Sequence, residues 1–182
     1  MLKISIPDTE VWDEQKQEFI NVKATTLTLE HSLVSISKWE SKWCKHFLNN
    51  QDKKPEEIID YFRCMTLTQN VDPNVYYVIP SEELKKINDY MEAPMTATTV
   101  KEAPGGGRGN SREIITSELI YYLMIAYNIP FECQKWHINR LLMLIRVCEA
   151  KNSKQKKMSK AETLRQNKAL NAARRAKYHT KG

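Results

Sequence analysis

Ser117-Glu118-Leu119-Ile120-Tyr121-Tyr122-Leu123-Met124-Ile125-Ala126-Tyr127 decides the reading of the fold. The run is almost wholly apolar or aromatic and is stopped by Asn128-Ile129-Pro130. A membrane span takes about 20 apolar residues, so a run this short reads as a buried core helix. Pro130 then opens a further helix to about Ala150, on which Leu141, Leu142, Leu144, Ile145 and Cys148 form a wide apolar face. These two helices are expected at the centre of the domain.

Working back toward the N-terminus, Ala103 to Asn110 holds four of the chain's five glycines and marks a turn or loop. Thr96–Val100 and Arg112–Ile115 flank it and read as a second small hairpin. Pro80-Ser81-Glu82-Glu83 opens a helix ending near Met91, with Ser81 as its cap. Val75-Tyr76-Tyr77-Val78-Ile79 is aromatic and β-branched, which suits a short strand. Pro55, followed by Glu56 and Glu57, starts a helix whose inward face is Ile58, Ile59, Phe62 and Met65. A longer helix is expected over Leu29–Leu48, capped by Thr28, with Leu29, Leu33, Ile36, Trp43 and Phe47 at three- and four-residue steps and one gap. At the start of the chain, Lys3–Ile6 alternates apolar and polar residues. Phe19–Lys23 does so less cleanly, and the two read as a β-hairpin closed by a long polar turn.

After Ala150 the composition changes. Lys151 to Gly182 holds eleven Lys/Arg and one acid, Glu162, whereas Met1 to Ala150 holds 17 bases and 21 acids. The pI of 9.1 and net charge of +6 therefore describe neither part. Lys151–Lys157 reads as a basic linker. Ser159 with Glu162 is a capping-box pair that starts a basic helix from Ala161 to Tyr178. The expected class is α+β: a mostly helical body over 1–150 with an N-terminal β-hairpin and a second small hairpin, followed by a basic linker and helical tail over 151–182.

No motif for an enzyme emerges. The glycine-rich loop lacks a following Gly-Lys-Ser/Thr and the dinucleotide Gly-x-Gly-x-x-Gly spacing, so it reads as a loop tip from which Arg108 and Arg112 can reach a partner. Cys133 and His137 are four apart and can share a helix face. A zinc site needs a full ligand set, and Cys44, His46, His31 and His179 do not complete one. Glu56-Glu57 and Glu82-Glu83 fall in first helical turns, where acids offset the helix dipole. Nucleophile, base and charge stabiliser never occur together, so no catalytic residue, metal or cofactor is expected. The four cysteines are widely spaced and read as buried thiols. Met1–Asp8 has no secretory pattern, so a cytoplasmic location is expected.

Two constellations point to partners. Trp39 and Trp43 lie among Lys38, Lys42 and Lys45, which fits core packing with a basic edge, base stacking, or an exposed protein-binding hot spot. The tail, with Lys156, Lys157, Arg165, Arg174 and Arg175, seeks an anionic partner: a nucleic-acid backbone or an acidic protein surface. A thin stripe of Leu164, Leu170, Ala173 and Ala176 also suits docking in a groove.

Three blocks carry a family likeness: Leu29–Glu40 (LEHSLVSISKWE), Asn128–Arg140 (NIPFECQKWHINR) and Ala169–Lys177 (ALNAARRAK). They resemble blocks in small proteins of tailed bacteriophages, and the layout resembles tail-assembly chaperones of long-tailed phages. The blocks span well under half the chain and contain no catalytic motif. The resemblance implies a non-enzymatic assembly factor in the infected host's cytoplasm. It would bind the tape-measure protein and tail-tube subunits: the body would self-associate or hold an apolar helix of the tape measure, and the tail would reach a second partner. The alternative reading is a nucleic-acid-binding protein acting through its basic tail.

Overall fold

The computed structural model describes residues 1–13, 17–49, 52–99, 114–152 and 160–178. The protein is α+β, with six α-helices and two small antiparallel two-stranded sheets among these residues. Contacts divide the chain into two compact units, Met1–Ala150 and Lys151–Gly182.

The N-terminal segment is a β-ribbon built from four strands. β1 (Leu2–Ile6) pairs with β4 (Thr25–Leu29), and β2 (Thr9–Asp13) pairs with β3 (Glu18–Val22). This corrects the expected pairing of Lys3–Ile6 with Phe19–Lys23, because the polar stretch between them contains a strand of its own. The buried alternation decides it. Ile4 and Ile6 on β1 and Leu27 and Leu29 on β4 are all buried, whereas Phe19 is exposed. Leu27 lies directly opposite Ile4, so one face of the inner ladder enters the core. The two ladders are separated by Pro7-Asp8 on one side and Lys23-Ala24 on the other.

Leu29 thus ends a strand, and the first helix, α1, runs over Leu33–Trp43 rather than Leu29–Leu48. Its cap is Ser32, not Thr28. The Ser32 hydroxyl accepts from the Ser35 backbone N–H at 3.3 Å, and the Ser35 hydroxyl accepts from the Ser32 N–H at 2.9 Å. This reciprocal box satisfies two helix-end donors. Cys44 closes α1 in the left-handed region (φ 51) and donates its N–H to Glu40 O at 2.8 Å.

α2 (Pro55–Met65) starts on its proline as expected. Its inward face differs, because Ile58 is exposed while Glu57, Asp60 and Tyr61 are buried beside Phe62 and Met65. The anticipated strand at Val75–Ile79 is instead a short 3-10 helix, Pro73–Tyr77. Asp72 caps it by accepting the Asn74 N–H at 2.9 Å. Proline at its first turn and this aspartate outweigh the β propensity of the residues that follow. α3 spans Ser81–Glu92, with Pro80 rather than Ser81 at the cap position.

The second expected hairpin does not form in the described residues. Thr96–Thr99 and Ile114–Ile115 carry no strand, and 100–113 lie outside the described residues. The second small sheet is β2–β3. α4 covers Ser117–Ala126 and α5 covers Ile138–Asn152, with a 3-10 helix at Phe131–Lys135 after Pro130. α6 (Lys160–Tyr178) lies in the second unit. Ser159 of its expected capping pair lies outside the described residues.

The core of the first unit gathers Ile4, Ile6, Leu27, Leu29, Leu33, Ile36, Trp39, Tyr61, Met65, Ile87, Ile120, Met124, Ile138 and Leu141. It draws on the inner ladder and on all five helices of the body. Burial of each large side chain contributes about 1.5–3 kcal/mol.

Candidate functional site

A line of rings runs through the body. Trp43 lies 6.4 Å from Trp39, which meets Phe47 edge to face at 5.2 Å. Phe47 stacks on Tyr61 at 3.9 Å, Tyr61 meets His31 at 5.7 Å, His31 meets His137 at 5.2 Å, and His137 meets Tyr90 at 4.9 Å. These residues come from α1, the loop after it, α2, the β4–α1 junction, the start of α5, and α3.

Polar groups within this line are matched. His31 Nδ1 hydrogen-bonds the Tyr61 hydroxyl. His137 Nε2–H donates to the Tyr90 carbonyl at 2.9 Å, while its Nδ1 accepts from the Asn139 N–H at 3.3 Å. The Tyr90 hydroxyl donates to Glu30 Oε1 at 2.7 Å, and the N-terminal amine pairs with Glu30 Oε2 at 3.0 Å. Burial, helped by the adjacent His137, lowers the His31 pKa to about 3. Burial also lowers that of His137. The Tyr61 and Tyr90 hydroxyls are pushed up, again chiefly by burial. The cluster is therefore held neutral apart from Glu30 and its amine partner. Each imidazole serves as a hydrogen-bonding bracket between elements.

Among the described residues, no group of three or more His, Cys, Asp or Glu could hold a metal ion. Cys133 is buried in the 3-10 helix, and both nitrogens of His137 are engaged within the fold.

The α1–α2 interface absorbs the tryptophans. Trp39 is fully buried and donates its indole N–H to Glu57 O at 2.8 Å. This corrects its reading as a partner-contacting residue, because no partner can reach it. Trp43 is half-buried and donates to Asp60 Oδ2 at 2.9 Å. Lys42 pairs with Asp60 and Lys45 with Glu57. The basic edge beside the tryptophans is thus partly neutralised by acids of α2. The Lys45 hydrogen bond holds the Glu57 carboxyl below its usual range.

The exposed apolar groups lie elsewhere. On α4 only Ser117, Ile120 and Met124 are buried, while Tyr122 is 64% and Ile125 61% exposed. The helix expected to be a buried core helix thus turns one face to the core and leaves the other exposed. Phe131 is exposed beside the half-buried Tyr121, with ring centroids 6.4 Å apart. Ile114 and Ile115, just before α4, are exposed as well. Composition alone marked the helix as apolar, but could not say which face is covered.

Of the candidate basic residues, Arg165, Arg174 and Arg175 are exposed on α6. Arg108, Arg112, Lys156 and Lys157 lie outside the described residues. All four cysteines are free. Cys44 is exposed rather than buried, at the left-handed end of α1. No described helix is long and apolar enough to cross a membrane.

Compared with known proteins, the chain matches no family model, and neither a curated protein nor a solved structure is detectably similar.

Proposed function

We propose that this protein is a non-enzymatic assembly factor of the phage tail-chaperone kind. Its body holds an apolar helical segment of the tape-measure protein, and its tail reaches a second partner such as a tail-tube subunit. The observation that carries this reading is the outer face of α4. A helix as apolar as this one leaves Tyr122 and Ile125 bare, with Phe131 exposed just after the helix. Exposed apolar patches of this kind mark protein-binding surfaces. The blocks at 29–40, 128–140 and 169–177 support the phage context, and with it a role in the infected host's cytoplasm.

The test is co-expression of the full chain with a tagged tape-measure protein, after nuclease treatment. Recovery of soluble complex by the wild type, and loss of most of it by Tyr122→Glu/Ile125→Glu, is the expected result. A complex that survives this double substitution, or never forms, overturns the reading.

A second reading is favoured by α6, where six Lys/Arg face one acid and Arg165, Arg174 and Arg175 are exposed. Such a helix suits a phosphate backbone. It predicts binding to nucleic acid that weakens steeply with salt and is removed by Arg174→Glu/Arg175→Glu.

A further inference from the structure

α6 has an order around its circumference that helix formation does not explain. Asn167 and Asn171 share one stripe of the helix with Leu164 and Tyr178, spaced by three, four and seven residues. At about 3.6 residues per turn, Arg174 and Lys177 fall on one side of this stripe. Arg165, Lys168 and Arg175 fall on the other, and Ala169 and Ala173 lie behind. All of these side chains are exposed. Among the described residues, no ion pair holds any of the five bases. Asparagine is a weaker helix former than the alanines around it, so two on an exposed stripe add nothing to the helix itself.

The charges select an anionic occupant, and their placement selects its shape. Bases on both sides of an amide stripe suit a ligand with two anionic walls and hydrogen-bonding edges between them. The major groove of B-form DNA has this form. It is about 12 Å wide, admits an α-helix, and presents base edges between two phosphate backbones. The deep, narrow major groove of A-form RNA shuts side chains out. Single strands are held by successive aromatic rings, and the sole ring on α6 is Tyr178, over which Lys177 sits at 5.6 Å. A flat acidic protein surface would meet the bases of one flank and give the amides no task.

Asparagine is matched to the N6 and N7 edge of adenine. Four residues advance a helix by about 6 Å, close to two base-pair steps of about 3.4 Å. The two amides can therefore reach adenines two steps apart.

We propose that α6 lies in the major groove of duplex DNA, with Asn167 and Asn171 on adenine edges and the five bases on the two phosphate backbones. The proposal rests on the nucleic-acid reading of the tail and narrows it to one groove of one kind of duplex. It is independent of what the α4 face holds.

Fluorescence anisotropy of the full chain provides the test. The labelled probes are a DNA duplex containing A·T pairs, its single strand, the matching RNA duplex, and the same DNA duplex carrying 7-deazaadenine. That base lacks only the N7 acceptor of the major groove. The unmodified DNA duplex should bind more tightly than the single strand or the RNA duplex, and 7-deazaadenine should weaken binding by roughly tenfold. Asn167→Ala/Asn171→Ala should abolish this sensitivity and leave the salt dependence unchanged. Arg174→Ala/Arg175→Ala should make the slope of log affinity against log salt shallower by about 2 and leave the sensitivity in place. Alanine favours the helix in both variants, and circular dichroism checks that each is folded. Equal affinity for the single strand, the RNA duplex and the DNA duplex overturns the groove proposal while the nucleic-acid reading stands. Binding to none of the probes in low salt overturns both. Wild-type binding indifferent to 7-deazaadenine, or an asparagine variant as sensitive as the wild type, also overturns the proposal.

Discussion

His31 and His137 meet edge to face inside the body, with ring centroids 5.2 Å apart. The contact is reinforced by backbone. Ile138 N–H donates to His31 O at 2.7 Å, and Ser32 forms an antiparallel bridge with His137. Two segments far apart in the chain, the β4–α1 junction and the start of α5, are thereby joined at a buried pair of imidazoles. Two positive charges at this separation in a desolvated site would repel strongly, so the fold requires the neutral forms.

Acid should therefore weaken the protein before its carboxylates titrate. The His31 pKa is lowered from 6.5 to about 3, and that of His137 is lowered as well. The unfolded chain binds more protons than the folded one between these limits. The stabilisation is complete above about pH 6.5 and declines as pH falls toward 3. Glu30, the N-terminal amine, Tyr61 and Tyr90 are the ionisable groups that face the pair. Glu57, whose pKa is lowered from 4.5, begins to contribute only below that value. From pH 7 to pH 5 the loss should be on the order of 2 kcal/mol for His31 alone. Urea unfolding at the two pH values would show it, and an unchanged midpoint would rule it out.

Glu40 is buried in α1, and its two oxygens serve two other segments. Oε1 accepts the Phe47 N–H and Oε2 the Ser117 N–H, each at 2.7 Å. It therefore fixes both the chain leaving α1 and the first residue of α4. Glu40→Ala leaves two buried donors unmatched and should cost about 2–4 kcal/mol. Glu40→Gln keeps one acceptor oxygen and should cost less. If denaturation curves of the two variants coincide, the carboxylate does not hold this junction.

Trp39→Phe removes the indole donor to Glu57 O and leaves a small cavity, for an expected loss of about 2–4 kcal/mol. Trp43→Phe, at a half-buried site, should cost about 1 kcal/mol. Thermal melts would separate these values. Equal effects would contradict the difference in burial between the two indoles.

The Ser32–Ser35 box predicts coupling. Ser32→Ala should cost about 1 kcal/mol. The double substitution should cost less than the sum of the single ones, since each single change already breaks the reciprocal pair. Strict additivity in a double-mutant cycle would show that the box does not act as a unit.

The places where expectation and structure part have local causes. Leu29, Leu33 and Ile36 stand at helical steps, so the two-residue alternation of Leu27 and Leu29 was hidden inside a helical pattern. The start of α2 was legible, because Pro55, Glu56 and Glu57 together are a strong helix opening. The basic segment after Ala150 was also legible, since composition alone separates it. The His31–Tyr61–His137–Tyr90 cluster left no trace of that kind. No spacing rule links residues brought together only by packing, and each is unremarkable in its own neighbourhood. Trp39 was ambiguous for a related reason: flanking lysines suggest a surface, yet Lys38 and Lys42 stand on the same helix as the buried indole, and Lys45 follows its end.

The break at Pro7-Asp8 and Lys23-Ala24 divides the ribbon mechanically. Pro7 has no amide proton to carry a ladder across the gap, while the Thr9 and Thr25 hydroxyls bond locally to Pro7 O and Lys23 O. Opening of the outer ladder therefore need not propagate inward. In native-state hydrogen exchange, amides of Val11 and Ile20 should exchange through a low-energy local opening, while those of Ile4 and Leu27 wait for the whole body to unfold. The ribbon thus combines an anchored root with an outer end that opens on its own, so a change at that end is absorbed there without loosening the core.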